Sequence, residues 1–418
     1  MYEFVENLEK NNYENFVLNN DKAHFMQSYY WGEIQKEKNF KPYYIGLKKN
    51  GILVAVSLLL EKKVFKHIGY MYAPRGPILD YNDTESLEVF IKYLKKFTKK
   101  KKDMFLRIDP DIIINKINSK EETTKYNSDM IEILKKNGFK HSGFNKNFEN
   151  NQPRFTFRLD ISDSIENIYA GFHATTRKIL NKGNIYKLNI YKGNLNDIND
   201  FYLTMKETAL REKIIPSKIE YYKNYYTILN NQNMSDLYII KVNIETLKEE
   251  YENIMSSIKK EIETINSYPQ KNELKCGKLI EELNSKIHKM EEELLEINNI
   301  IEKELTLSSI ITTKYKDKVW TVHGGNHSKL RFLNANYLLY YEIIKDAHDE
   351  NYKVVDFFGT TGDSSPNNSV YGIHLFKKRF GGDYIEFIGQ FDLITNKVLY
   401  LLYNIFIKTR KKLKKGFN

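Results

Sequence analysis

The 418-residue sequence holds a single cysteine, Cys276. A lone thiol can build neither a disulfide framework nor a cysteine-rich zinc site, and it fits a reducing compartment. The nine histidines show no paired ligand spacing and no HExxH, so no metal is expected. Long apolar runs are missing too. Gly51–Leu60 and Val398–Ile407 are the longest, and each reaches half of the ~20 residues a membrane span needs. The opening MYEFVENLEKNN has early acids and no apolar h-region, so a signal peptide is not expected, and the chain reads as soluble and cytoplasmic. No Walker loop, no GxGxxG after a strand and no GxSxG elbow occur, which removes the footholds of nucleotide hydrolases, Rossmann dehydrogenases and serine hydrolases. No cofactor is expected. What remains open is chemistry that rests on positioning two substrates and stabilising charge between them.

Apolar residues make up 41% of the chain, enough for real cores, and the length suits two or three domains. The formal net charge of +11 points to anionic partners such as nucleic acid, phosphorylated substrates or a membrane surface. That charge is unevenly placed. Residues 244–305 hold 15 acids against 9 Lys/Arg, a net of −6, so the remainder carries +17.

The acidic stretch reads as a helical hairpin. Leu247, Tyr251, Ile254, Ile258, Ile262 and Ile265 recur at steps of three and four. Leu279, Leu283, Ile287, Met290, Leu294, Ile297 and Ile301 do the same on a second arm. Such narrow seams on charged helices suit an antiparallel coiled coil, with a turn at Ser267–Asn272 around Pro269. It could serve as a brace or as a contact arm. Elsewhere strands alternate with helices. Tyr43–Leu47 and Leu53–Leu60 flank an Asn50-Gly51 hairpin turn, before a helix at Ser86–Phe97 and a strand at Met104–Asp109. After residue 153 a similar order returns, with helices at Ser164–Asn181 and Ile198–Arg211 and strands at Leu188–Lys192 and Leu237–Val242. Beyond the acidic hairpin come strands at Ser308–Tyr315 and Lys318–His323, a helix at Ala335–Asp349 and a strand at Val354–Phe358. The order suggests two copies of one α/β unit, the hairpin interrupting the second.

Five stretches carry a resemblance. They are Gln27-Ser28-Tyr29-Tyr30-Trp31-Gly32 with Lys36, Tyr72-Ala73-Pro74-Arg75-Gly76-Pro77, and Glu207-Thr208-Ala209-Leu210-Arg211-Glu212. Val355-Asp356-Phe357-Phe358-Gly359 follows, then Tyr371-Gly372-Ile373-His374-Leu375-Phe376-Lys377, running on into Phe380-Gly381-Gly382 and Ile388-Gly389-Gln390-Phe391-Asp392. In that order, from about residue 25 to 395, they resemble the Fem family of bridge-forming aminoacyltransferases. The resemblance implies an α/β (α+β) fold of two acetyltransferase-like (GNAT) domains with the coiled-coil hairpin inserted in the second. The first domain would be 1–152 plus 388–418, the second 153–387, and the insert 244–305. The implied activity moves an amino acid from aminoacyl-tRNA to the stem-peptide side-chain amine of a lipid-linked or uridine-diphosphate-linked muramyl pentapeptide. Peripheral contact with the inner face of the cytoplasmic membrane and the oligomeric state are left open.

Residue roles follow from the same resemblance. Lys36 and Arg211 would contact the substrate's diphosphate; taken alone, they are a surface lysine and a helix C-terminal arginine. Some members have a substrate-contacting tyrosine four residues after the arginine, where this chain has Ile215. Phe376 and Lys377 would lie where amine meets ester, Phe376 stacking on the terminal adenine and Lys377 holding phosphate or oxyanion. With an ordinary lysine pKa of about 10.4, Lys377 would be a cation at neutral pH. His323 stands where relatives often have tyrosine and would hydrogen-bond substrate or sit in the core. Arg75, between two prolines, is a candidate groove residue. Asp356 and Asp363 would serve turns or take a proton. Two other functions compete: a basic RNA-binding protein with a coiled-coil arm, and a coenzyme A-dependent N-acyltransferase, for which no Q/R-x-x-G-x-G/A loop is found.

Overall fold

The computed structural model describes residues 1–65, 67–127, 129–148, 151–267 and 273–415. The chain divides into two units, one of Met1–Asp160, Thr313–Trp320 and Tyr352–Asn418, the other of Ile161–Thr312 and Thr321–Asn351. The first unit opens with β1 (Tyr2–Val5), α1 (Lys10–Asn19), α2 (Tyr29–Lys36), β2 (Lys41–Lys49), β3 (Ile52–Phe65), β4 (Ile68–Arg75) and β5 (Ile78–Leu79). It continues with α3 (Thr84–Lys100), β6 (Asp103–Pro110), β7 (Ile113–Ile117), β8 (Thr123–Lys125), α4 (Met130–Lys136), β9 (Phe139–His141) and β10 (Phe155–Asp160). The second unit holds α5 (Ile165–Ala170), α6 (Ala174–Gly183), β11 (Asn189–Gly193), α7 (Ile198–Arg211), α8 (Ile219–Asn230), β12 (Leu237–Asn243), α9 (Ile244–Ser267) and α10 (Glu273–Asn298). β13 (Glu304–Tyr315) and β14 (Lys318–Asn326) each have residues in both units, and α11 (Ala335–Asp349) belongs to the second. β15 (Val354–Thr360), α12 (Tyr371–Lys378), β16 (Asp383–Phe387), β17 (Phe391–Ile394) and α13 (Lys397–Lys415) return to the first.

The fold is mixed α/β on two sheets. In the first, strands run β1-β2-β3-β4-β6-β17-β9, with β5 on β3; only β4 and β6 pair in parallel. Local chemistry sets this register. Asn50 (φ 54°) and Gly51 (φ 85°) both take left-handed conformations, as a two-residue hairpin turn demands, so that Lys49 faces Ile52. α3 begins at Asp83, whose Oδ1 accepts the Ser86 N–H at 3.1 Å, and it lays Leu87, Phe90, Ile91, Leu94 and Phe97 on the sheet. The late β17 inserts beside β6, where Arg107 grips Asp392 with two hydrogen bonds of 2.8 Å.

A further set of first-unit strands runs β15-β10-β16-β7-β8, all antiparallel, while Lys318–Trp320 pairs in parallel with Val354–Asp356. In the second unit β12 lies between β11 and β13. The helix expected over Ser164–Asn181 is two helices. The chain breaks after Ala170 to bury Phe172, and Arg177 Nη1 caps the freed Ala170 carbonyl at 2.8 Å. α9 and α10 bury Leu247, Tyr251, Met255, Ile258, Ile287 and Ile297, and Tyr251 donates to Glu293 at 2.8 Å. Ile301, expected on the second seam, lies past the end of α10 and is 98% exposed; Ile300 is buried in its stead. Of the turn expected at Ser267–Asn272, Ser267 ends α9 and residues 268–272 lie outside the described residues. Among the described residues no helix is long and apolar enough to cross a membrane.

Phe90 is wholly buried under α3. Phe90→Ala should cost about 3–5 kcal/mol, read as a lower urea midpoint with an unchanged slope. A loss under about 1 kcal/mol would mean that α3 does not depend on this contact.

Candidate active site

The chemistry concentrates on β15. Opposite β10 the register runs Thr156↔Gly359 and then Arg158↔Asp356, so two residues of β15 oppose Phe157 alone. This is a β-bulge, and Phe358 takes the left-handed conformation (φ 57°) that a bulky side chain resists. Asp356 holds the bulge: its Oδ1 accepts the Phe358 N–H at 2.8 Å and meets Thr156 Oγ1 at 2.5 Å. Arg158 donates to Asp356 Oδ2 at 2.8 Å and to Asp111 Oδ2 at 2.6 Å. Burial alone would raise the Asp111 carboxyl, but Arg158, His24 and Arg75 together outweigh it and hold Asp111 well below the ordinary range.

The bulge presents two carbonyls to Lys377, which reaches them from α12. Its Nζ donates to Phe358 O at 3.0 Å and Gly359 O at 2.6 Å, and the residue is 8% exposed. Loss of water lowers the ammonium's pKa to about 7, against the opposing pull of Asp356. The expectation of an ordinary lysine pKa at this position is therefore corrected. A neutral amine has two N–H donors, and two carbonyls take both, leaving its lone pair for a third group.

Around it, the buried His374 lies edge-on to Phe157 (5.1 Å) and Tyr384 (5.4 Å), with burial and the neighbouring lysines lowering its pKa. Phe376 is half-buried, its ring edge-on to Phe380 at 5.4 Å. Asp363 accepts the Ser365 N–H at 3.1 Å within the following turn.

The other first-unit candidates have different surroundings. Arg75 is buried and left-handed (φ 54°); its N–H donates to Asp109 Oδ1 at 2.8 Å, Nη2 donates to Pro153 O at 2.8 Å, and the guanidinium lies 4.4 Å from the Phe387 ring centre. Burial raises Asp109 to about 6, with Arg75 opposing. Lys36 closes α2, half exposed, and pairs with Glu33 at 2.6 Å. Sequence reasoning missed Thr156, Arg158, Asp111 and Asp109. The Asp109-Pro110-Asp111 string and the alternate placing of Arg154, Thr156 and Arg158 on a strand were the available signals.

In the second unit, Arg211 and His323 both lie along β14. Arg211 donates to Asn326 O and Thr208 Oγ1, each at 3.4 Å, and meets Glu212 at 3.1 Å. α7 can rest on β14 because position 325 is glycine: a Cβ there would come within 2.5 Å of Met205 N and the Thr204 carbonyl carbon. His323 points its ring at the faces and edges of Tyr221, Tyr222 and Tyr225, at 6.0, 5.3 and 4.9 Å.

A mixed α/β chain with a desolvated lysine held by a helix against a bulged strand is the class of protein that fold and site define. The sequence matches the FemAB family over residues 8–408, and the chain belongs to that family. It is 25% identical to the lipid II:glycine glycyltransferase of Staphylococcus haemolyticus, over 95% of this chain and 94% of that one. It is 26% identical to the lipid II:glycine glycyltransferase of Staphylococcus aureus (strain MRSA252), over 93% and 92%. The crystal structure of FemX superposes with a TM-score of 0.74 at 24% identity, covering 96% of this chain and 99% of that chain, and has the same fold.

The depressed Lys377 has a consequence for stability. It titrates at about 7 folded and at about 10.4 unfolded, so the unfolded chain binds more protons between those values and stability rises with pH across that window. Lys377→Met removes the effect. Its stability relative to the parent should be greatest near about pH 6 and should shrink by a few kcal/mol near about pH 10, measured by urea unfolding. An unchanging difference would show that the lysine is not desolvated.

Proposed function

We propose that this protein transfers an aminoacyl group from aminoacyl-tRNA to the side-chain amine of the stem peptide on a lipid-linked muramyl pentapeptide, a step in building the peptidoglycan cross-bridge. The observation that carries this reading is Lys377, buried against two backbone carbonyls with a pKa of about 7. The names of the relatives support the acceptor. An aminoacyl ester is already activated, so the donor requires no nucleotide hydrolysis.

In the proposed reaction the acceptor nitrogen attacks the ester carbonyl carbon. Neutral Lys377 takes the proton that the attacking amine releases, and the resulting ammonium faces the tetrahedral oxyanion. The intermediate collapses, the C–O bond to the tRNA ribose breaks, and the proton passes to the departing ribose oxygen. A peptide bond and a free tRNA hydroxyl result. Phe376 is assigned to stacking on the tRNA's terminal base, and His323 and Arg75 to substrate contacts. Lys36 in the first unit and Arg211 in the second are assigned to phosphate groups. The same proposal reads residues 1–152 with 388–418, and 153–387, as two acetyltransferase-like domains, and α9 with α10 as an antiparallel coiled-coil hairpin. The Tyr251–Glu293 hydrogen bond and the buried apolar side chains of both helices support the hairpin.

The test is incubation with a mixed pool of radiolabelled aminoacyl-tRNAs and either lipid-linked or uridine-diphosphate-linked precursor. Label should enter the lipid-linked precursor, with a rate that rises with pH through about 7 and then levels. Lys377→Met should lower the rate by about 10²–10⁴ while leaving tRNA binding within a few-fold. No label on either precursor sinks the reading. A full rate in Lys377→Met removes the lysine from the chemistry.

A further inference from the structure

α13 is fixed on one side and bare on the other. Tyr400 donates to Asp392 at 2.8 Å and sets its ring edge against Phe105 at 5.2 Å, and Tyr403 packs on Phe105 and Tyr70 at 5.5 and 5.8 Å. Those contacts turn the opposite face outward. Val398, Leu401, Leu402 and Ile405 fall on that face by helical spacing and are 53–69% exposed. Phe406, on the flank, is 46% exposed; its ring lies 6.2 Å from Phe65 at the end of β3, which is 52% exposed. A patch of this kind on a water-facing helix calls for a partner.

The charge says which partner. Between Lys397 and Lys415 the sequence holds seven Lys/Arg and no acid, six of them from Lys408 onward. Another lysine flanks the helix: Lys140 stands 5.8 Å from the Tyr400 ring centre. RNA would meet the lysines but leave the apolar side chains wet. A second copy of the helix would cover the apolar side chains but set seven cations against seven. An anionic lipid surface satisfies both halves, the apolar face entering the acyl boundary while the basic half lies among the headgroups.

We propose that α13, with Phe65 beside it, lies in the plane of an anionic membrane and docks the enzyme there. The proposal rests on the preceding reading for its purpose, since a lipid-linked acceptor is held at such a surface.

The test uses the full chain and vesicles of phosphatidylcholine and phosphatidylglycerol in a two-to-one ratio. The parent should co-sediment with them, bind phosphatidylcholine vesicles more weakly, and release as salt is raised. The double variant Leu401→Asp/Ile405→Asp changes side chains already in water, so its circular dichroism and urea midpoint should match the parent's. Its vesicle affinity should fall at least about tenfold. Transfer onto vesicle-embedded lipid-linked precursor should fall with it, while binding of free tRNA should not. Failure of transfer with every acceptor, alongside vesicle binding that the variant loses, sinks the proposed reaction and upholds the dock. Three results overturn the dock: no vesicle binding by the parent, equal binding by the variant, or a parent dimer in sedimentation that the variant abolishes.

Discussion

An ammonium taken out of water must be compensated, deprotonated or expelled. At Lys377 the compensation comes from two adjacent carbonyls, Phe358 and Gly359, which an ordinary strand would point to opposite sides. The bulge on β15 removes that alternation. It survives because Asp356 binds the Phe358 N–H and Thr156 reinforces it, and because Arg158 neutralises Asp356 while sharing itself with Asp111. A non-glycine residue held left-handed costs roughly 1–2 kcal/mol, and this network is what makes Phe358 keep that conformation. Without that network the two carbonyls would no longer converge on Nζ, and the buried amine would lose the acceptors that offset its loss of water.

Much of the fold was legible in the sequence because its signals are local. The Asn50-Gly51 turn, α3 with its stripe of Leu87, Phe90 and Leu94, and the helices Ile198–Arg211 and Ala335–Asp349 all follow from turn chemistry and periodicity. The helix expected across Ser164–Asn181 was not one helix, because Phe172 is drawn into the core and propensity cannot foresee that pull. Short strands such as β7, β8 and β16 carry no clean alternation and are held by their neighbours. Lys377 could be picked out by its motif, but its acidity could not. That property arises from burial against a bulge formed by strands some two hundred residues apart, Phe155–Asp160 and Val354–Thr360, with the loss of water as its cause. Arg158 and Asp111 behind it were equally silent, since a charged residue in or beside a strand normally reads as a solvated face.

The two units handle polar groups differently. The first buries a chain of charged groups from Asp111 through Arg158 to Asp356, each answered by an opposite charge. The second has more exposed ion pairs, such as Lys241 with Asp200 at 2.7 Å, and adds neutral donors and aromatic surface: Thr204 meets Ser309 at 2.5 Å, Ser308 bonds Asn326 Oδ1 at 2.8 Å, and His323 lies among three tyrosine rings.

Gly325 sets a distance by having nothing attached to it. The backbone of α7 at Thr204 and Met205 occupies the volume a methyl group would need. Evolution could therefore displace the Arg211 guanidinium without touching a single charge: one methyl added to β14 would act as a wedge beneath the helix, tilting it and swinging its far end away from the Asn326 carbonyl. In a lineage of such proteins, loss of this glycine would announce a changed second unit before any change in its ionisable residues did.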